Sequence, residues 1–203
     1  MITRVARGFL APRTLCVLLA LSGACGDDRG STSASATDTT GGDEGPREWR
    51  SVIDHQAWQS VEAAADPFAD HRPPEDELEC GLAGWLIESN TLEVDTNQCN
   101  YVTLTQPALV DMTPETPMRL EFRYFDLIAP APATAHVALQ VGDAIVWERE
   151  ITIPGPAMVL NEDELTAQVE APAGTPIYFH LHNHGQNTYT LDEVEAEVVV
   201  PAP

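Results

Sequence analysis

From Cys80 to the C-terminus, large apolar residues recur at every second position in short runs. Met118, Leu120, Phe122 and Tyr124 alternate with Arg119, Glu121 and Arg123, and Val137, Leu139 and Val141 alternate with His136, Ala138 and Gln140. A period of two belongs to a strand with one face buried. Runs of this kind occupy residues 84–88, 91–96, 99–105, 117–126, 134–141, 144–153, 165–171, 175–183 and 188–200, separated by Pro, Gly, Asn and Asp. Gly142-Asp143 between two such runs predicts a hairpin. No helical period follows residue 80. Eight to nine short strands predict an all-β domain over residues 80–203, a jelly-roll-type β-sandwich with one core.

The pattern changes upstream. Trp49, Val52, Ile53, Ala57, Trp58, Val61 and Ala64 stand near helical spacing, which predicts one short helix from about Arg50 to Ala65, stopped by Asp66-Pro67. A Pro- and acid-rich connector completes residues 48–79. Residues 26–47 hold no large apolar side chain. Such a stretch cannot bury enough surface to offset its chain entropy, so residues 25–47 are expected to form a disordered tether. A flexible chain of that length reaches about 25 Å. Residues 1–24 carry Arg4, Arg7 and Arg13, the apolar run Leu15 to Leu21, and the small residues Ser22-Gly23-Ala24. That is the build of a secretory signal peptide, with an apolar run too short to span a bilayer.

The segment Leu21-Ser22-Gly23-Ala24-Cys25 resembles a bacterial lipobox. The resemblance implies lipidation of the Cys25 thiol after cleavage before it. Ser22 stands where a branched apolar residue is usual, and Ser22 with Ala24 also meets the small-x-small rule of ordinary secretion at the same bond. The other cysteines separate these readings. Cys16 leaves with the signal peptide, and Cys80 and Cys99 are expected to pair as a disulfide in an oxidising compartment. Closing their loop contributes roughly 3 kcal/mol in the chain-entropy model. Cys25 is then odd, and lipidation removes its exposed thiol. The expected location is the cell envelope, lipid-anchored at the outer membrane, on its periplasmic face or the cell surface.

Charge narrows the partners. The formal net charge is −22, and residues 1–24 hold three arginines and no acid. So acidic a chain argues against nucleic acid and against anionic head groups. All ten basic residues are arginine, which excludes lysine Schiff-base chemistry. No G-x-S-x-G, phosphate-binding loop or dinucleotide motif occurs.

One segment stands out, His180-Leu181-His182-Asn183-His184. On a strand these histidines share one face, with neighbours about 6.5–7 Å apart. His136 on another strand is the natural further ligand, so His136, His180, His182 and His184 are candidate zinc ligands, and a zinc-bound water would be a hydrolytic nucleophile. Against this, Ile177, Phe179 and Leu181 mark the buried face and no His-Glu-x-x-His element is present. His184 with Gly185 and Asn187 also reads as a turn. Asp54, His55, Asp66, Asp70 and His71 form an acid- and His-rich patch expected to face water.

The strand rhythm, Cys99-Asn100-Tyr101 and the late turn Asn183-His184-Gly185 resemble the galactose-binding-domain-like jelly roll. That resemblance implies the fold of many carbohydrate-binding modules. No sugar-binding motif matches residue by residue, so no functional residue is carried over. The expectation is a non-enzymatic envelope lipoprotein whose sandwich binds a glycan or a partner protein and needs no cofactor. The alternative is a metal-binding or metal-dependent hydrolytic domain built on the histidines.

Overall fold

The computed structural model describes residues 45–200. The expected signal peptide, Cys25 and nearly all of the expected tether lie outside the described residues. Eleven strands form two antiparallel sheets. One contains β1 (Arg47–Ser51), β3 (Trp85–Glu88), β4 (Thr91–Asp95), β6 (Pro117–Tyr124), β9 (Met158–Thr166) and β11 (Thr188–Val199). Its order is β3-β4-β11-β6-β9, with β1 along the other half of the long β11. The second contains β2 (Gln59–Ser60), β5 (Tyr101–Pro107), β7 (Ala133–Val141), β8 (Ala144–Ile153) and β10 (Pro176–Asn183), in the order β2-β5-β10-β7-β8. This is the all-β, jelly-roll-type sandwich that the alternation predicts.

The alternating apolar residues meet between the sheets. Met118, Leu120 and Phe122 from one sheet and Val137, Leu139, Ile177, Phe179 and Leu181 from the other are buried in one core. Phe122 bridges the layers, with ring centroids 5.4 Å from Trp147 and 6.3 Å from Phe179 across the sandwich and 6.0 Å from Tyr189 beside it. Gly142, at φ +59°, makes the β7–β8 hairpin turn where the sequence places it.

Two expectations are corrected. The helix from Arg50 to Ala65 is absent. That stretch holds β1, β2 and 3₁₀ turns at His55–Ala57 and Ala63–Ala65. Its backbone donors go instead to strand neighbours, Val52 N to Val194 O at 2.9 Å and Val61 N to Thr103 O at 3.0 Å. Val52, Ile53 and Trp58 are buried because the chain crosses from one sheet to the other, which mimics helical spacing. The strand expected at 165–171 runs instead over Met158–Thr166. Among the described residues it pairs only with β6, so as a sheet edge it carries acids at 162–164 without cost, and that obscures its pattern.

Cys80 and Cys99 form the expected disulfide. Gly84 packs against it so closely that an added Cβ would stand 2.5 Å from Cys99 Cβ. Gly84→Ala is expected to cost about 1–3 kcal/mol by overpacking, read as a lower urea midpoint. An unchanged midpoint would mean that the bridge yields.

Candidate functional site

The outward face of the five-stranded sheet carries Tyr101, Thr103, His136, His180 and His182. The pleat dictates this, since Val102, Leu104, Val137, Phe179 and Leu181 point into the core. Register places His182 opposite both Tyr101 and His136, and His180 opposite Thr103. The histidines do lie on the face opposite Ile177, Phe179 and Leu181.

That face is roofed. Residues 61–79 cross it through the 3₁₀ turns Ala63–Ala65 and Ala69–His71. Phe68 stacks on His180 at 4.5 Å and His71 on His136 at 4.2 Å, both nearly parallel. Asp66 anchors the roof from within. Its buried carboxylate accepts from the Tyr101 hydroxyl at 2.6 Å and from Phe68 N at 2.9 Å. Burial and this carboxylate push the Tyr101 phenol well above its ordinary range. The acid/His patch therefore does not simply face water, for Asp66 and His55 are buried.

His180 is wholly inaccessible, and His136 is nearly so. His180 Nδ1 meets Thr103 Oγ1 at 3.0 Å and His136 Nε2 meets Glu148 Oε1 at 2.7 Å. Burial, with the neighbouring His136, His71 and His182, pushes His180 down to about 2. Burial, then His184, His71 and His136, brings His182 to about 4. Imidazoles that hold no proton until such acidity are poorly matched to general-base work near neutral pH.

The structure brings His136 within 5.2 Å of His180, ring to ring. His184 lies beyond the end of β10 in the turn that Asn183 caps, and meets His182 edge-on at 4.4 Å. Among the described residues no three His, Cys, Asp or Glu side chains are placed to hold a metal ion. The stacking gives the reason for His71 and His136. An imidazole lone pair lies in the ring plane, so face-to-face rings do not aim their nitrogens at a common point. Phe68, His71 and Tyr101 complete this cluster, and the histidine triplet by itself does not point to them. Asp66-Pro67 and His71 were visible only as a helix stop and a charge-rich patch.

Beside the roof lies an open groove of about 450 Å³ lined by Ser60, Arg72, Leu82, Trp85, Tyr101 and Thr103, at the disulfide. Trp85 at the start of β3 is half-buried, whereas Trp58 and Trp147 are core and Arg119 covers Trp49. Arg72 lies over the Tyr101 ring at 5.4 Å and near Asp66 at 3.9 Å, which orients its guanidinium along the groove wall.

No protein-family model and no curated protein matches the chain. Solved structures do. A carbohydrate-binding module of family 4 is 7% identical over 71% of this chain and 89% of its own, with TM-score 0.38. The N-terminal cellulose-binding domain of Cellulomonas fimi β-1,4-glucanase C is 16% identical over 60% and 94%, with TM-score 0.36. TmCBM61, solved with β-1,4-galactotriose, is 11% identical over 75% and 88%, with TM-score 0.30.

Proposed function

We propose that this chain is a cell-envelope lipoprotein, held by a lipid on Cys25, whose sandwich is a non-catalytic glycan-binding module. The saccharide lies in the groove beside the disulfide. The observation that carries this reading is Trp85, which is half-buried and shares one open groove with Arg72 and the exposed Ser60. A sugar offers an apolar ring face for stacking and hydroxyls for hydrogen bonds, and a pocket that recognises it needs both. The tether of residues 25–47 would hold this groove clear of the head groups. The lipid fixes the protein at the outer membrane, on its periplasmic face or the cell surface.

The test is a glycan array on the purified protein, followed by calorimetry on the best hit. Trp85→Ala is expected to weaken binding at least about tenfold, measured on protein that circular dichroism shows to be folded, because Trp85 also packs against the core. An array without hits, or a Trp85→Ala protein that binds as before, rejects the glycan reading. Labelled fatty acid incorporated by the wild type and lost in Cys25→Ser tests the anchor. Wild-type protein left unlabelled would point to ordinary secretion.

A further inference from the structure

The last two histidines of the run at 180–184 differ from the others in being reachable. His182 is half-buried near the end of β10, and His184 is exposed in the turn just after it. No His182 nitrogen is among the enclosed polar atoms without a partner, whereas His136 Nδ1 and His180 Nε2 both are. Among the described residues neither ring is held by a hydrogen bond, unlike His136 on Glu148 and His180 on Thr103. The backbone that carries them is fixed. Asn183, buried between them, donates to Thr96 Oγ1 at 2.6 Å and accepts from Gly185 N at 2.9 Å.

The two rings stand 4.4 Å apart, centroid to centroid, and are inclined by 63°. An imidazole bound to a metal ion puts its centroid about 3.2 Å from the ion, a bond of roughly 2.0–2.1 Å plus the ring radius. A right angle at the ion then separates two centroids by about 4.5 Å, and a tetrahedral angle by about 5.2 Å. The observed separation matches the right angle. The inclination matters too. The nearly parallel planes of His71 and His136 share no point within reach, whereas inclined planes cross in a line. An ion on that line lies in both ring planes, where imidazole lone pairs point. The exposed His184 can turn about its Cβ–Cγ bond to bring a nitrogen onto it. His182, kept free of a proton down to about 4, offers a lone pair at neutral pH, the form a metal needs.

We infer that His182 and His184 form a two-nitrogen clamp for copper(II), independent of the glycan groove. Right-angled nitrogen ligation suits a tetragonal ion, and copper(II) stands highest in the order of divalent affinities. Among the described residues no third His, Cys, Asp or Glu side chain converges with the pair, so water fills the remaining positions. Zinc fits less well, because its sites take three or four protein ligands in a tetrahedron. Calcium and magnesium prefer oxygen and gain nothing from imidazoles. The net charge of −22 draws any divalent cation toward the domain, but only the clamp supplies two nitrogens.

Titration of the protein, purified without a histidine tag, with the copper(II)–iminodiacetate complex tests this. The chelator outcompetes single carboxylates and leaves coordination positions for incoming nitrogens. Electron paramagnetic resonance should show one bound equivalent with two imidazole nitrogens on the copper. His182→Asn and His184→Asn should each weaken binding about tenfold or more, since one ligand remains where two acted together. His184 is exposed, so its variant guards against a folding defect at His182. His71→Asn, which alters an exposed ring stacked on His136, should leave the affinity unchanged. Absence of binding overturns the inference, as does a spectrum with oxygen ligands alone or binding that survives in the double variant. A loss at His71 equal to that at His184 would place the ion under the roof and overturn the clamp as well.

Discussion

Acidification from pH 6.5 to 4.5 is expected to remove about 2 kcal/mol of folding stability through His180 alone. The ring is held neutral in the fold down to about pH 2 by burial and by the neighbouring histidines, whereas in the unfolded chain it titrates near 6.5. The unfolded state therefore takes up the proton first as pH falls. Stability is fully present above 6.5 and is lost progressively from there toward the folded value, at about 1.4 kcal/mol per pH unit. His182, depressed to about 4, acts in the same direction, but its partial exposure reduces its share. The chain's net charge of −22 acts oppositely, since protonating carboxylates relieves self-repulsion. The decisive quantity is thus a difference. Urea unfolding of wild type and His180→Leu at pH 7.5, 6.5, 5.5 and 4.5 should show the variant losing less stability, by about 1 kcal/mol per unit below 6.5. Parallel pH profiles would show that His180 is free to protonate in the fold. The first part of the domain to feel the acid is expected to be the roof of residues 61–79, because Phe68 and His71 stack on the rings that must charge.

Phe122→Ala is expected to cost about 3–5 kcal/mol. Phe122 is fully buried and joins the two sheets through Trp147 and Phe179. Its neighbours lie on strands pinned by ladder hydrogen bonds, so they can close only part of the space its ring leaves. For comparison, Phe125 is 70% exposed, and Phe125→Ala should change stability by no more than about 0.5 kcal/mol. Chemical denaturation of the two variants reads both effects. A small loss at Phe122 would mean that the core collapses around the gap.

The strands from β3 to β8, with β10 and β11, were legible because alternation reports a local fact: each pleated strand has a wet face and a dry face, whatever its partners. The Cys80–Cys99 bridge was legible for a similar reason, since in a chain expected to be exported a close pair of thiols has little other fate. The pattern misled where burial came from a crossing and not from a face. Val52, Ile53 and Trp58 are buried as the chain passes between sheets, and helical spacing arose there by coincidence. β9 was misplaced because an edge strand can point acids outward and lose its alternation.

The histidines show the division most clearly. From the sequence alone, His180 and His182 lie on one face of a strand, away from the core, and His136 lies on another strand. Only the tertiary structure decided that this face is roofed by Phe68 and His71, that Asp66 locks the roof to Tyr101, and that the rings stack. Residues 66–72 lie more than sixty positions from His136 and more than a hundred from His180, and no periodicity encodes what a loop will cover. The same holds within β11, where a register shift between Leu191 and Glu193 sets Glu193 against Glu121. Alternation determined which side chains leave the core. Long-range packing decided which of them meet water and which meet one another.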